Sequence, residues 1–555
     1  MTNWRILTTV GFLALAGIHP GTAQETKKPA TPPEQAALTA ALKIKDPAKR
    51  LEALAVFLGE YPDKFTSRAR GSSVTTAVAL YAKDKPALLA EFRKQLAATP
   101  KTIDQIDLHR TLATELTGKG LFLDEAIKAA NRAVALDSLE VFGAALKATA
   151  KANKRPDPTG ETIRARHQLY RVGLLEAQGQ ALLKAGKHRA AANSLKAALQ
   201  LDSSNGAAAL GLASIAEKRK RAKEALHYAT IAMLGRATPE AKKKIEGLYA
   251  KAHGGSLDGL EQYLDESYAK LFPAPVHPAK YKPSPKRASF PERKVRTVLA
   301  EVHTGSGCPP CAAADLAFDS LMERYNRDEL VVLMYHQHIP RPDPMTNAET
   351  RERWEFVAGN GAPTYLVDGK MSGGGGPRSD TKSITERIET LIAPALERES
   401  GAALQLDAAG DRVNVRVRVA VSELEAMPAG TKLQLRIALV ERMVKYSGEN
   451  GIRYHANVVR SLVSLPVKEA GAMVSTFNLE QVQAKLERHI RDFETKDEDH
   501  NPDGTFRFMA YVHTINPANL GVVVYLENEE TKDVLQSRWA EVKAESNVRI
   551  SSNVP

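Results

Sequence analysis

Cysteine is nearly missing from this chain: there are two in 555 residues, Cys308 and Cys311. A small secreted scaffold held by cross-links needs several well-spaced cysteines, so that class is excluded. A bridge between neighbours this close restrains little, because the entropic gain of a disulfide grows with the loop it closes. The pair therefore reads as chemistry. Aromatic residues are also scarce, at 6%. They do not cluster with Lys and Arg, and the net charge of +12 is interspersed with Asp and Glu. That pattern fits solvated helix faces and argues against nucleic acid as a partner. The sequence also lacks a phosphate-binding glycine loop, a metalloprotease helix motif and a serine nucleophile elbow. After the first two dozen residues no run is long and apolar enough for a transmembrane anchor.

What is present divides the chain. Trp4 and Arg5, the apolar stretch Ile6 to Ile18, and Gly21-Thr22-Ala23 predict a cleaved secretory signal over 1–23, with an uncleaved tether as the alternative. The expected location is periplasmic or secreted. A length of 555 calls for three or more domains. Residues 24–34 are polar and read as a disordered lead-in. Residues 35–272 are rich in Ala, Leu and Lys with helical periodicity. Pro273, Pro275, Pro278, Pro283, Pro285 and Pro291 then mark 273–294 as a stiff, extended linker. Beyond it come a mixed α/β stretch over 295–400, an alternating β pattern over 401–548 and a tail over 549–555.

Within the helical half, Gly179, Ala191 and Ala198 return thirty-four residues later as Ala213, Ala225 and Ala232. An earlier unit, Leu123 to Asp137, has the same spacing and the same Leu-Asp ending. These segments resemble tetratricopeptide repeats, most clearly over Leu174 to Gly235. The resemblance implies an all-α solenoid whose concave face holds a protein partner, or one that serves structure alone.

The α/β stretch carries the chemistry. Val295 to Val302 predicts a strand, and Gly305-Ser306-Gly307-Cys308-Pro309-Pro310-Cys311 leads from it into a helix ending near Tyr325. Leu330 to His336 is a second strand, followed by a helix around Ala348 to Val357. Pro363 then opens a strand that turns at Asp368-Gly369, and a last helix spans Ser379 to Glu397. This β-α-β-α-β-β-α order and its Cys-x-x-Cys resemble the thioredoxin superfamily over Val295 to Arg398. The resemblance implies a thiol-disulfide oxidoreductase whose only prosthetic element is the Cys308–Cys311 disulfide. Cys308 would be the exposed attacking thiolate and Cys311 the buried resolving thiol. Pro363 would be cis and face the sulfurs, with Ala362, Thr364 and Gly307 shaping the substrate site. Gly373 to Gly376 would let substrate backbone approach. Protein disulfides would be the substrates, with an external electron donor or acceptor.

The chain departs from that family at three points. Gly307 replaces the usual Trp. No acid is in register to deprotonate the resolving thiol, and Glu301 is the nearest substitute, or else a simple exposed Glu. An insertion-like segment spans Met345 to Val357. Pro309 and Pro310 lack N–H groups that could stabilise the Cys308 thiolate, which favours a reductase or isomerase over a strong oxidant.

His336 and His338 alternate at the end of the second strand, near His303. They either tune the thiol or, with Cys308 and Cys311, form a zinc or copper site, making the protein a metal handler. A third reading is a non-catalytic scaffold. Beyond residue 400, Val413 to Val419, Lys432 to Val440 and Phe506 to Val512 predict strands of an antiparallel β-sandwich interrupted by a helix at Leu479 to Glu494. His455 and Arg460 are candidates for contact with the redox domain.

Overall fold

The computed structural model describes residues 32–62, 64–154, 156–496, 501 and 504–544. The expected signal segment, most of the lead-in and the tail lie outside the described residues. The chain gathers into two compact units, one up to Phe122 and one from Leu123 onward.

The first unit holds helices Pro33–Lys43, Pro47–Glu60, Thr66–Leu80, Lys85–Ala97 and Thr102–Lys119. Leu38, Leu54, Phe57 and Ala69 form a core within it. Asp46 and Asp84 cap the second and fourth helices by accepting from Lys49 and Ala87 N–H, which satisfies donors that a helix start leaves unpaired.

Among the described residues the second unit opens with eight more helices, from Leu123–Leu136 to Leu260–Leu271. The small residues singled out by the repeat lie where these helices touch. Ala191, Ala198, Ala213, Ala225 and Ala232 are buried, and a Cβ on Gly179 would fall 2.5 Å from the Leu195 side chain. The segment expected as a stiff, extended linker is in part helical and packed. Residues Pro285–Ala288 form a short helix, and buried Arg287 donates to the carbonyls of Leu396 and Arg296. Its guanidinium needs those acceptors once it leaves water, so this part of the segment is tied to the α/β body.

Four strands follow: β1 (Val298–Thr304), β2 (Leu330–His336), β3 (Thr364–Val367) and β4 (Lys370–Gly373). Helices Cys311–Arg324, Ala348–Phe356 and Thr381–Leu396 separate and follow them. Asp368 and Gly369 turn β3 into β4 with positive φ of 47° and 82°. Among the described residues eight strands come later: β5 (Ala403–Gly410), β6 (Asn414–Ser422), β7 (Leu433–Lys445), β8 (Tyr454–Val467), β9 (Gly471–Asn478), β10 (Leu520–Asn528), β11 (Val534–Glu541) and β12 (Lys543–Ala544). A helix, Leu479–Lys496, interrupts them.

The sheet order is not that of two independent bodies. One eight-stranded sheet runs β11-β10-β7-β8-β2-β1-β3-β4, and a second of four runs β12-β5-β6-β9. The two halves of the large sheet meet where β2 lies parallel to β8, with Met334 opposite Val458. Strands β1, β2 and β10 are buried almost throughout, as strands covered on both faces must be. Even-numbered side chains of β1 and β2, such as Ala300, Val302 and Val332, pack under Phe318 and Ile388 of the flanking helices. Odd-numbered ones, such as Leu299, Val331 and Tyr335, meet Val523 and Tyr525 of β10 on the other face. Val417, Val419, Leu435 and Val522 fill the space between the two sheets.

Residues Phe506 to Val512, expected as a strand, form none. Their alternating aromatics instead pack edge-on and tilted against a helix, with Phe506 and Phe508 at 5.9 and 5.5 Å from the Phe493 ring. Among the described residues no helix is long and apolar enough to cross a membrane.

Candidate active site

Cys308 and Cys311 are joined as a disulfide. Cys311 is the first residue of the helix to Arg324, and Cys308 stands in the turn before it, with Cys311 N–H donating to Cys308 O at 3.0 Å. The Ala362–Pro363 peptide is cis, and the carbonyl oxygen of Ala362 lies 3.7 Å from Cys308 Sγ. Thr364, just beyond, is buried and donates to Gly361 O. Sequence residues fifty apart thus meet at one point.

The surroundings differ from the expectation in a way that matters for access. Cys308 is only 1% exposed, not open as the resemblance implied, while Cys311 is fully buried. Pro309 and Pro310 are the exposed members of the motif. Gly307 does not leave a groove wall empty, because a Cβ there would stand 2.8 Å from Arg341 Cβ. Asn450 N–H donates to Ser306 O at 2.9 Å, and its side-chain amide to Gly305 O at 3.3 Å. Arg341 and Glu449 pair over this loop, and Arg236, just past the helix Ala222–Gly235, reaches the same Glu449 carboxylate at 3.6 Å. Two segments therefore close over the residues leading to Cys308. A cavity of about 250 Å³, lined by Pro309, Ala312, Arg236, Glu449 and Asn450 among others, borders the prolines.

The glycine run also has a different neighbour from the one expected. A Cβ on Gly375 would lie 1.9 Å from Pro310 O and 2.7 Å from Pro363 Cγ. Gly376 N–H donates to Pro310 O at 2.8 Å, and Gly376 O accepts from Ala313 N–H. The close approach that demands glycine here is by the protein's own dithiol loop.

Glu301 is buried, but it faces away from the cysteines, because alternate residues of β1 point to opposite sides. Arg353 binds its carboxylate through Nε and Nη2, each at 2.7 Å, and bridges it to Glu527. Burial alone would raise its pKa, yet Arg353 outweighs this and holds it low. Thr304, on the other side of β1, donates instead to Asp315 at 2.7 and 2.9 Å. Asp315 lies one helical turn past Cys311 on the same face and is 3% exposed. Burial pushes its pKa up to about 7, with the Thr304 bond offsetting only part of that. Sequence reasoning missed Asp315, Arg341, Glu449 and Asn450. Only Asp315 left a signal, the four-residue step from Cys311.

The histidines diverge. His336 Nδ1 is 2.7 Å from Asp343, whose same oxygen accepts from Ser306 N–H at 2.6 Å. Burial works against the Asp343 carboxylate, but His336 and the N–H groups of Ser306 and Met345 keep it well below the usual range. His336 is thereby linked, through Asp343, to the loop two residues before Cys308. His338 lies tilted against Phe493 at 4.1 Å, and His303 sits between Tyr335 and Trp354. Burial drives the pKa of His303 down to about 3. His455 meets the His336 ring at 5.1 Å, and Arg460 pairs with Glu441. Among the described residues no group of three or more His, Cys, Asp or Glu side chains could hold a metal ion. The zinc or copper site composed of Cys308, Cys311, His336 and His338 is not assembled.

No family model matches the chain, and no curated protein does. Among solved structures it is similar to a protein of Agrobacterium tumefaciens, at 14% identity over 45% of this chain and 96% of that one, with a TM-score of 0.29. It is also similar to HBP35 of Porphyromonas gingivalis, at 12% identity over 48% and 82%, with a TM-score of 0.31. PilW, a widely conserved type IV pilus biogenesis factor, gives 14% identity over 44% and 94% and a TM-score of 0.28. The chemistry proposed below rests on the site's own residues.

Proposed function

We propose that the chain is an exported thiol-disulfide oxidoreductase of thioredoxin-like build, acting on protein disulfides as a reductase or isomerase. The observation that supports it is the vicinal Cys308–Cys311 disulfide at a helix start, facing Ala362 and Pro363 and backed by an acid one turn along the helix. After reduction by an external thiol donor, the Cys308 thiolate attacks a sulfur of the substrate disulfide, and the substrate's other sulfur leaves as a thiolate that takes a proton from water. Cys311 then gives its proton to the Asp315 carboxylate and attacks Cys308 Sγ. The Cys308–Cys311 bond forms again, and the second substrate sulfur departs. Arg341 and Glu449 must part before a substrate sulfur can reach Cys308. On this reading 295–400 is the catalytic region, 35–272 are tetratricopeptide-like repeats that hold a partner, and 401–548 form a sandwich that shares its sheet with the catalytic region. Periplasmic or secreted placement rests on the segment 1–23.

The burial of Cys308 favours a second reading, a non-exchanging dithiol in an envelope scaffold. Turnover of insulin disulfides with a thiol donor separates the two. Activity that disappears in Cys308→Ser is expected, with a trapped mixed disulfide in Cys311→Ser. Equal rates for wild type and Cys308→Ser would sink the enzyme reading.

A further inference from the structure

Strands β2 and β8 are neighbours in the large sheet, yet among the described residues Met334 and Val458 are their one paired position. On the N-terminal side of that bridge the strands stand apart, and a cavity of about 430 Å³ lies there, with Val331, Leu316, Ile452, Met443 and Trp539 among its walls. Its size and largely apolar lining are those of a small-molecule or side-chain pocket.

Asp319 opens into this cavity from the dithiol helix, two turns beyond Cys311. Its carboxylate receives no hydrogen bond and no ion pair from the described residues. The cations at the rim are engaged elsewhere. Arg442 pairs with Glu541, and Arg327 lies over the Trp539 ring at 3.7 Å. Arg378, the cation nearest in effect, donates to Tyr268 Oη and Gly451 O. Asn457 spends its amide on Met322 Sδ. Glu323, also at the cavity, adds a second negative charge. Asp319 is half-buried at the cavity wall, where an unpaired carboxylate beside apolar side chains is poorly solvated. Burial, with Asp315 close by, pushes the Asp319 pKa up to about 7, and Arg378 only partly offsets this.

We propose that this cavity binds a primary ammonium group carried on an apolar body, with Asp319 as its counter-charge. The ammonium supplies the donors and the positive charge that the carboxylate lacks, and the body fills the apolar walls. The group can arrive on a free amine or on a lysine side chain. The site is separate from the disulfide and does not depend on thiol exchange.

Titration calorimetry on the full chain tests this with 4-phenylbutylamine, 4-phenylbutanol and the blocked peptide acetyl-Leu-Lys-Leu-amide as probes. Binding of the amine at least tenfold tighter than the alcohol is expected, and a tenfold or greater loss in Asp319→Asn, which keeps the side-chain shape. Met443→Trp, at an exposed position on the rim, should weaken amine and alcohol alike. Tighter binding of the peptide than of the free amine would identify a polypeptide source, and the reverse a free amine. Equal affinities for amine and alcohol, or unchanged amine binding in Asp319→Asn, would overturn the proposal.

Discussion

Two buried carboxylates lie on opposite faces of strand β1, and they are held in opposite states. Glu301 is gripped by Arg353 and shares it with Glu527, so its charge is kept. Asp315, across the strand, has one hydroxyl for a partner, and burial raises its pKa to about 7. The two acids are enclosed alike, so depth does not set their difference. A cation in contact does. The ionised acid locks the sheet together, whereas the acid near neutrality is free to exchange a proton beside Cys311.

The comparison breaks most sharply at Arg353. Arg353→Met leaves Glu301 buried without a counter-charge and Glu527 with Arg436 alone, and removal of one partner from such a cluster costs about 3–5 kcal/mol. Urea denaturation should show that loss.

Asp315→Asn should act in the other direction. A raised carboxyl pKa means that the folded chain holds a proton the unfolded chain has released, so between about pH 4 and pH 7 wild-type stability falls as pH rises. The Asn variant lacks this penalty and should gain on wild type by up to about 4 kcal/mol at pH 8, with the gap closing toward pH 4. In the same variant, re-formation of the Cys308–Cys311 bond in a stopped-flow assay should slow by about tenfold at pH 7, because the proton acceptor is gone. Glu301 runs oppositely: its stabilising charge is present above the ordinary carboxyl range and is lost as pH drops through its depressed value. Parallel slopes for Asp315→Asn and wild type would erase the contrast.

The smallest effect is expected at the cover. The Arg341–Glu449 pair is partly exposed and worth about 0.5–1 kcal/mol. Glu449→Gln should therefore speed reduction of the disulfide by a small phosphine about two- to fivefold, read by thiol labelling.

The sequence announced the elements around the cysteines because each rests on local physics. Proline and an Asp-Gly turn delimit β3 and β4, and unbroken apolar runs mark β1 and β2. It concealed what depends on distant residues. Whether Glu301 met Arg353 or a cysteine turned on a partner fifty-two positions away. The cover over Cys308 comes from Arg341, Glu449 and Arg236, each an ordinary surface charge when read in line. Phe506 to Val512 alternates as a strand does, but its aromatics found a helix to pack on. The union of β2 with β8 was hidden as well, since an apolar strand does not say which neighbour it will join.

That union bears on how the molecule could be divided. Cut after residue 400, the piece that keeps the cysteines would lose the polypeptide that lies along β2 and also Asn450, which holds the turn ahead of the first sulfur. Its open flank would recruit foreign strands and favour clumping. The portion that bears the cysteines is thus a tenant of the whole architecture, not a freestanding module.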